Sequence, residues 1–315
     1  MRAVADWCQA SDSPDRLAKL ATRMYGYWWL GAGGLEGRRW LQKALAANQR
    51  LALDERIACH QTVAIASTIN LENALALEHA SSAITLAAGR PSPFVMMALG
   101  SRSFAQSVPA SLPGADPRLA LDARTDAHDA VTMASASMPM AWRASAELFC
   151  AMVETNLGDI DAAARWYESL ARSSRQAEAT DLFLPVALAG LAVTLHLLRG
   201  GRQAQAFELL RDAGRYVRKL GVPLAENHLL GMAAVVEHLS GNPQRAGRLL
   251  AASRHLAGAT DRSIPFRTPA HWAFYRHYQP LVRAALGPEE ARRARDEGQA
   301  MSLDEALAYA TEGWV

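Results

Sequence analysis

Only three cysteines occur in 315 residues: Cys8, Cys59 and Cys150. No two are close in sequence, which excludes a CxxC metal or redox pair. Their odd number and helical surroundings make them small buried apolar residues of a cytoplasmic protein. Aromatic residues are scarce, at 7%, although half the chain is hydrophobic. Alanine and leucine fill the gap, and both head the helix scale. No long hydrophobic run is present. The longest apolar stretch, Leu184 to Leu198, is interrupted by Pro185, Gly190, Thr194 and His196. It falls short of the roughly 20 residues that span a bilayer. The N-terminus, Met-Arg-Ala-Val-Ala-Asp-Trp, has no apolar signal core. Charge of one sign is also missing. With 33 basic and 31 acidic residues the net charge is +2, which predicts no strong nucleic-acid field and no membrane patch.

Catalytic and cofactor motifs are equally sparse. The run Gly31-Ala32-Gly33-Gly34-Leu35-Glu36-Gly37 has the wrong glycine spacing for GxGxxG, and a helix precedes it where a strand is required. No Gly-Lys-Ser or Gly-Lys-Thr occurs, so no P-loop is present. There is no HExxH and no GxSxG elbow. His271 and His277 lie six apart, on different faces of a helix. Cys59 and His60 are neighbours, which on a helix point about 100° apart. These absences predict no enzyme, no metal and no cofactor.

What the chain does contain is a repeat. An apolar helix ends, a Gly or Asn turn follows, and the next helix carries a small residue near its fifth position. The clearest copies run from Leu157 through Gly158 to Ala163, from Gly201 to Ala206, and from Gly241 to Ala246. Weaker copies put the small residue at Gly37, Ala74 and Ala120. Antiparallel helices in a hairpin approach closely only where a side chain is nearly absent. The preceding glycine supplies the positive φ that stops the first helix. Ser13-Pro14, Ser92-Pro93, Asp116-Pro117 and Asn242-Pro243 read as N-caps followed by proline. Ser302 to Glu305 reads as a capping box.

This punctuation predicts an all-α chain with helices over 2–10, 14–30, 35–47, 53–68, 71–88, 93–107, 117–135, 139–156, 159–176, 181–199, 202–220, 223–240, 243–257, 269–286, 288–298 and 303–311. The expected architecture is a TPR-like helical-hairpin superhelix, an α-solenoid. It divides into N-terminal repeats over 1–107, central repeats over 117–257 and C-terminal capping helices over 269–315, as one continuous array. The intervals between small residues exceed the 34 residues of a TPR unit, so the match is to the class.

Two phrases add a family likeness. Trp28-Trp29-Leu30, followed by Leu35 to Leu45, resembles the start of the C-terminal TPR region of large ATP-binding transcriptional regulators of the LuxR and AfsR kinds. Val282 to Gly287, then Ala291 to Ala300 and Ser302 to Ala306, resembles the stretch that closes that region. The resemblance implies a sensor or interaction module of a bacterial regulator. Without a P-loop or a DNA-reading helix here, ATP hydrolysis and DNA binding do not carry over.

On this reading the partner is a protein or peptide, or a small-molecule effector, held in the concave groove. Candidate contacts are Trp28, Trp29, Arg56, His60, Arg102, Arg143, Glu147, Asn227 and His228. The aromatic pair stands out because aromatic anchors give large contact area. Two alternatives stay open. One is an enzyme whose site is assembled across the groove without a local motif. The other is a nucleic-acid-binding helical repeat, which a continuous basic groove would favour.

Overall fold

A computed structural model describes residues 2–24, 34–69, 72–176, 183–200, 202–221, 223–259 and 269–312. All regular structure among them is helical. The helices are α1 (Arg2–Ala10), α2 (Pro14–Arg23), α3 (Gly34–Ala46), α4 (Leu53–Ile69), α5 (Asn73–Ala87), α6 (Pro93–Ala110), α7 (Pro117–Ser137) and α8 (Met140–Leu157). They continue with α9 (Ile160–Gln176), α10 (Phe183–Arg199), α11 (Gln203–Leu220), α12 (Pro223–Leu239), α13 (Pro243–Ala259), α14 (Pro269–Ala300) and α15 (Leu303–Thr311).

From α1 to α14 each helix packs on its chain neighbours, and a second pattern overlays that order. Helices α4, α6, α8, α10 and α12 also pack one on the next, forming an inner row. Their partners α5, α7, α9 and α11 each bridge two members of the row from outside, and α13 bridges α12 and α14. Composition explains the division. Every residue from Ala144 to Asn156, from Phe183 to His196 and from Ala225 to Glu237 is buried. A helix that is apolar all round belongs in an interior. The hydroxyls on these helices bond within their own helix, as in Thr62 to the Ala58 carbonyl (2.8 Å) and Thr155 to the Ala151 carbonyl (2.7 Å). The outer helices are two-faced, and their inward stripes are small. Ala76, Ala80, Ala83 and Ala87 line α5, and Ala123, Ala127, Ala130 and Ala134 line α7, all buried.

Ala163, Ala206 and Ala246 are fully buried, as the repeat requires. Ala74 is exposed and Ala120 only half-buried. Their place is taken by Ala76 and Ala123, because the inward stripe of each helix is set by its packing angle and not by its first residue. Gly158 and Gly241 hold positive φ, at 80° and 81°. The caps at Ser92, Asp116 and Ser302 form, the last as a full capping box. Two caps differ. Ser13 makes no capping bond, and the Asn242 amide donates to Glu237 Oε2 (2.9 Å).

Helix α14 bends sharply at Gly287, where φ is 74° and ψ is 169°. Pro288 bars the residue before it from helical backbone, and the positive φ that remains suits only glycine. The segment before the bend packs on α12 and α13 and reaches α8. The segment after it lies tightly along α13. A Cβ at Gly298 would strike the Arg248 carbonyl, and one at Gly247 would press on Leu286 and Ala294. The terminal helix α15 turns away from α14. It lies on α11, α12 and α13, with Ala306, Leu307, Ala310 and Thr311 buried. Arg245 fastens it, bonding the Tyr309 carbonyl (2.5 Å) and stacking over the Tyr309 ring, while its Nε bonds the buried Glu237 carboxylate.

Candidate functional site

The residues singled out in the sequence do not converge on one groove. Trp28 and Trp29 lie outside the described residues. Arg102 forms a two-point ion pair with Asp126 of α7, at 2.6 and 2.7 Å, and serves as a helix-to-helix tie. Arg143 bonds Glu147 Oε1 at 3.1 Å, and Ser169 of α9 donates to the same oxygen at 2.9 Å. Glu147, Asn227 and His228 are buried, not displayed on an open concave face. Asn227 bonds Ser253 of α13, and burial pushes His228 down to about 4. The physical reason is the inner row itself, since the first helix of each pair is enclosed on all sides there.

His60 does meet a new partner, and Arg56 lies near enough to act on it electrostatically. His60 on α4 faces His79 on α5, with their Nδ1 atoms 3.0 Å apart. One nitrogen must donate and the other accept, so the two rings cannot both be protonated. Burial pushes His60 down to about 4, helped by His79 and Arg56. Burial also lowers His79, with Arg38 adding to the effect and Glu78 opposing it. The buried thiols follow the sequence reading: desolvation drives Cys59 up to about 12 and raises Cys150. No group of three or more His, Cys, Asp or Glu suited to a metal occurs among the described residues.

The arrangement best suited to holding a ligand lies between α13 and the two segments of α14. It is a cavity of about 900 Å³. Three stripes at helical spacing wall it: Gly247, Leu250, Ala251, Arg254 and His255 from α13; Gln279, Val282, Arg283 and Leu286 before the bend; Pro288, Ala291, Arg292, Arg295 and Gln299 after it. Only the bend at Gly287 turns both segments of α14 toward the same helix. The floor is apolar, with Leu250 and Val282 almost wholly buried. The rim carries four arginines and a histidine, and among the described residues no carboxylate lines the cavity. Gln279 sits between two of the cations. In the amide orientation that satisfies both, its oxygen accepts from Arg254 Nη1 at 3.1 Å and Arg283 Nη2 at 3.2 Å.

Some exposed arginines elsewhere are neutralised locally: Arg50 by Asp12, Arg118 by Asp116 and Arg215 by Asp212. Among the described residues, Arg254, Arg283 and Arg292 have no carboxylate partner. The adjacent pair Arg292-Arg293 is divided by the structure. Arg293 pairs with Glu290 and Glu297, and Arg292 turns into the cavity. Sequence reasoning missed Arg254, His255, Gln279, Arg283 and Arg295. Spacing places Gln279 with Arg283, and Arg292 with Arg295 and Gln299, on single faces. Only the α13–α14 register brings those faces together. No family model matches the chain, and no curated protein does. No helix among the described residues is long and apolar enough to cross a membrane.

Proposed function

We propose that this chain is a TPR-like helical-hairpin superhelix that works as a ligand-sensing module, with its effector held in the α13–α14 cavity. The observation that carries this reading is the cavity itself, which is large, has an apolar floor and gathers polar groups at its rim, the pattern of small-molecule sites. The rim chemistry favours holding over reacting. Four of its five titratable side chains are arginines, which keep their proton in proteins and cannot shuttle it. The alternation of inner and outer helices and the small residues at their crossings support the superhelix. The sequence likeness to the C-terminal region of LuxR- and AfsR-type regulators supports a signalling context, in which the bound state of the module is read by the rest of a regulator. The nucleic-acid reading draws less support, because the four arginines of the cavity form a local cluster.

The test is a thermal-shift screen of small metabolites on the wild-type protein and on Ala291→Trp, which puts a ring into the cavity. A ligand at a hundred times its dissociation constant stabilises the fold by about 2.7 kcal/mol. The expected outcome is at least one compound class that raises the wild-type melting temperature and leaves Ala291→Trp unmoved. Compounds that shift both proteins equally, or none that shift either, would reject the cavity as the effector site.

A further inference from the structure

The geometry points to an amphipathic anion as the ligand of the α13–α14 cavity, and we propose that class: a carboxylate or phosphate head on an apolar body. This rests on the reading that the cavity is a ligand site, and adds what it selects. The head group follows from charge. Arg254, Arg283 and Arg292 stand at the rim with no carboxylate lining the cavity or pairing with them among the described residues. Guanidinium forks bind oxyanions by two parallel N–H bonds, which suits carboxylate and phosphate alike. Two of the forks are set in advance. The Gln279 oxygen holds Arg254 and Arg283 side by side at 3.1 and 3.2 Å. A neutral amide orients two cations without cancelling their charge. The pair is thus brought together and left uncompensated, a state that an anion relieves.

The apolar body follows from the floor and the size. Leu286 and Ala291 are only half-buried and Pro288 is exposed, and a bare inorganic ion would leave these apolar lining groups facing water. A cavity of about 900 Å³ is many times the roughly 30 Å³ share of one water molecule, so phosphate alone fills little of it. Each methylene laid on such a floor removes apolar surface from water.

The experiment compares matched eight-carbon probes by calorimetry, below their micelle concentrations. Octanoate and octyl phosphate carry the anion, octyl glucoside carries the same chain without charge, and acetate and inorganic phosphate carry the head alone. We expect octanoate or octyl phosphate to bind at least tenfold more tightly than octyl glucoside and than either bare head; the two anionic probes rank carboxylate against phosphate. Arg254→Gln with Arg283→Gln should remove that preference and leave octyl glucoside unaffected. The single exposed change Arg292→Gln should weaken the anions severalfold and guards against a double variant that fails to fold. Octyl glucoside binding as tightly as the anions, with no response to the arginine changes, would overturn the anion while leaving the cavity a ligand site. Inorganic phosphate binding as tightly as octyl phosphate would overturn the apolar body. Binding of no probe, or equal binding to Ala291→Trp, would overturn the inference together with the cavity reading.

Discussion

At the scale of single residues, the fold depends on side chains that are nearly absent. Gly190 on α10 faces the Tyr167 ring, and Gly100 on α6 faces the Phe149 ring. A Cβ at either position would overlap an aromatic ring, and Tyr167 is fully buried with nowhere to retreat. Alanine normally improves a helix by about 1 kcal/mol over glycine. Here overpacking should win, at about 1–3 kcal/mol. Gly190→Ala is therefore expected to lower the urea midpoint of unfolding; a midpoint raised by the substitution would mean that α9 and α10 do not cross at this point. The glycine in the apolar run of α10 looks like an interruption in sequence. In the structure it is the seat for Tyr167, the largest fully buried side chain among the described residues.

At the scale of elements, one bend makes the candidate site. Had α14 run straight through residue 287, its second segment would have left α13 and opened the cavity to solvent. Pro288 forces a break, and Gly287 lets the break take a positive φ. Gly287→Ala meets no steric obstacle, since nothing lies within 4 Å of the added carbon. Its cost is in backbone alone, about 1–3 kcal/mol for a residue held in a region that side chains avoid. Chemical denaturation should show that loss. It should also loosen anion binding, because the second wall of the cavity moves with the bend. A variant as stable as the wild type would show that the chain relaxes to another path there.

At the scale of the whole molecule, the interior holds neutral imidazoles. Burial lowers His60 and His228 to about 4, and lowers His79 and His238 as well. In the unfolded chain these rings titrate near 6.5. Between about pH 6.5 and 4 the unfolded state therefore binds more protons than the folded one. Stability is complete above 6.5 and falls as the pH drops toward 4. Glu226, raised by burial and by Asp304, acts in the opposite sense, but as a single group. Urea midpoints at pH 7.5 and pH 5 should show a lower value at pH 5. Equal midpoints would mean that water reaches these rings in the folded protein.

The helices and most of their ends were legible in the chain, because caps, glycine stops and propensities act over a few residues. The break at 287 could be read directly as Gly-Pro. The alanines at 163, 206 and 246 were legible because each follows its turn at a fixed distance. What local pattern could not give was the neighbour across the gap. Helices α8, α10 and α12 lack a polar face, and that says they are buried, not by what. So Glu147, Asn227 and His228, polar in sequence and plausible as contacts, turned out to be interior. The arginines of the cavity show the reverse case. Arg254 and Arg283 stand 29 positions apart with ordinary neighbours on either side. Secondary structure is set by bonds between residues three and four apart, which the sequence states outright. The meeting of α13 with both segments of α14 is set by which buried surfaces fit, and only the folded chain decides that.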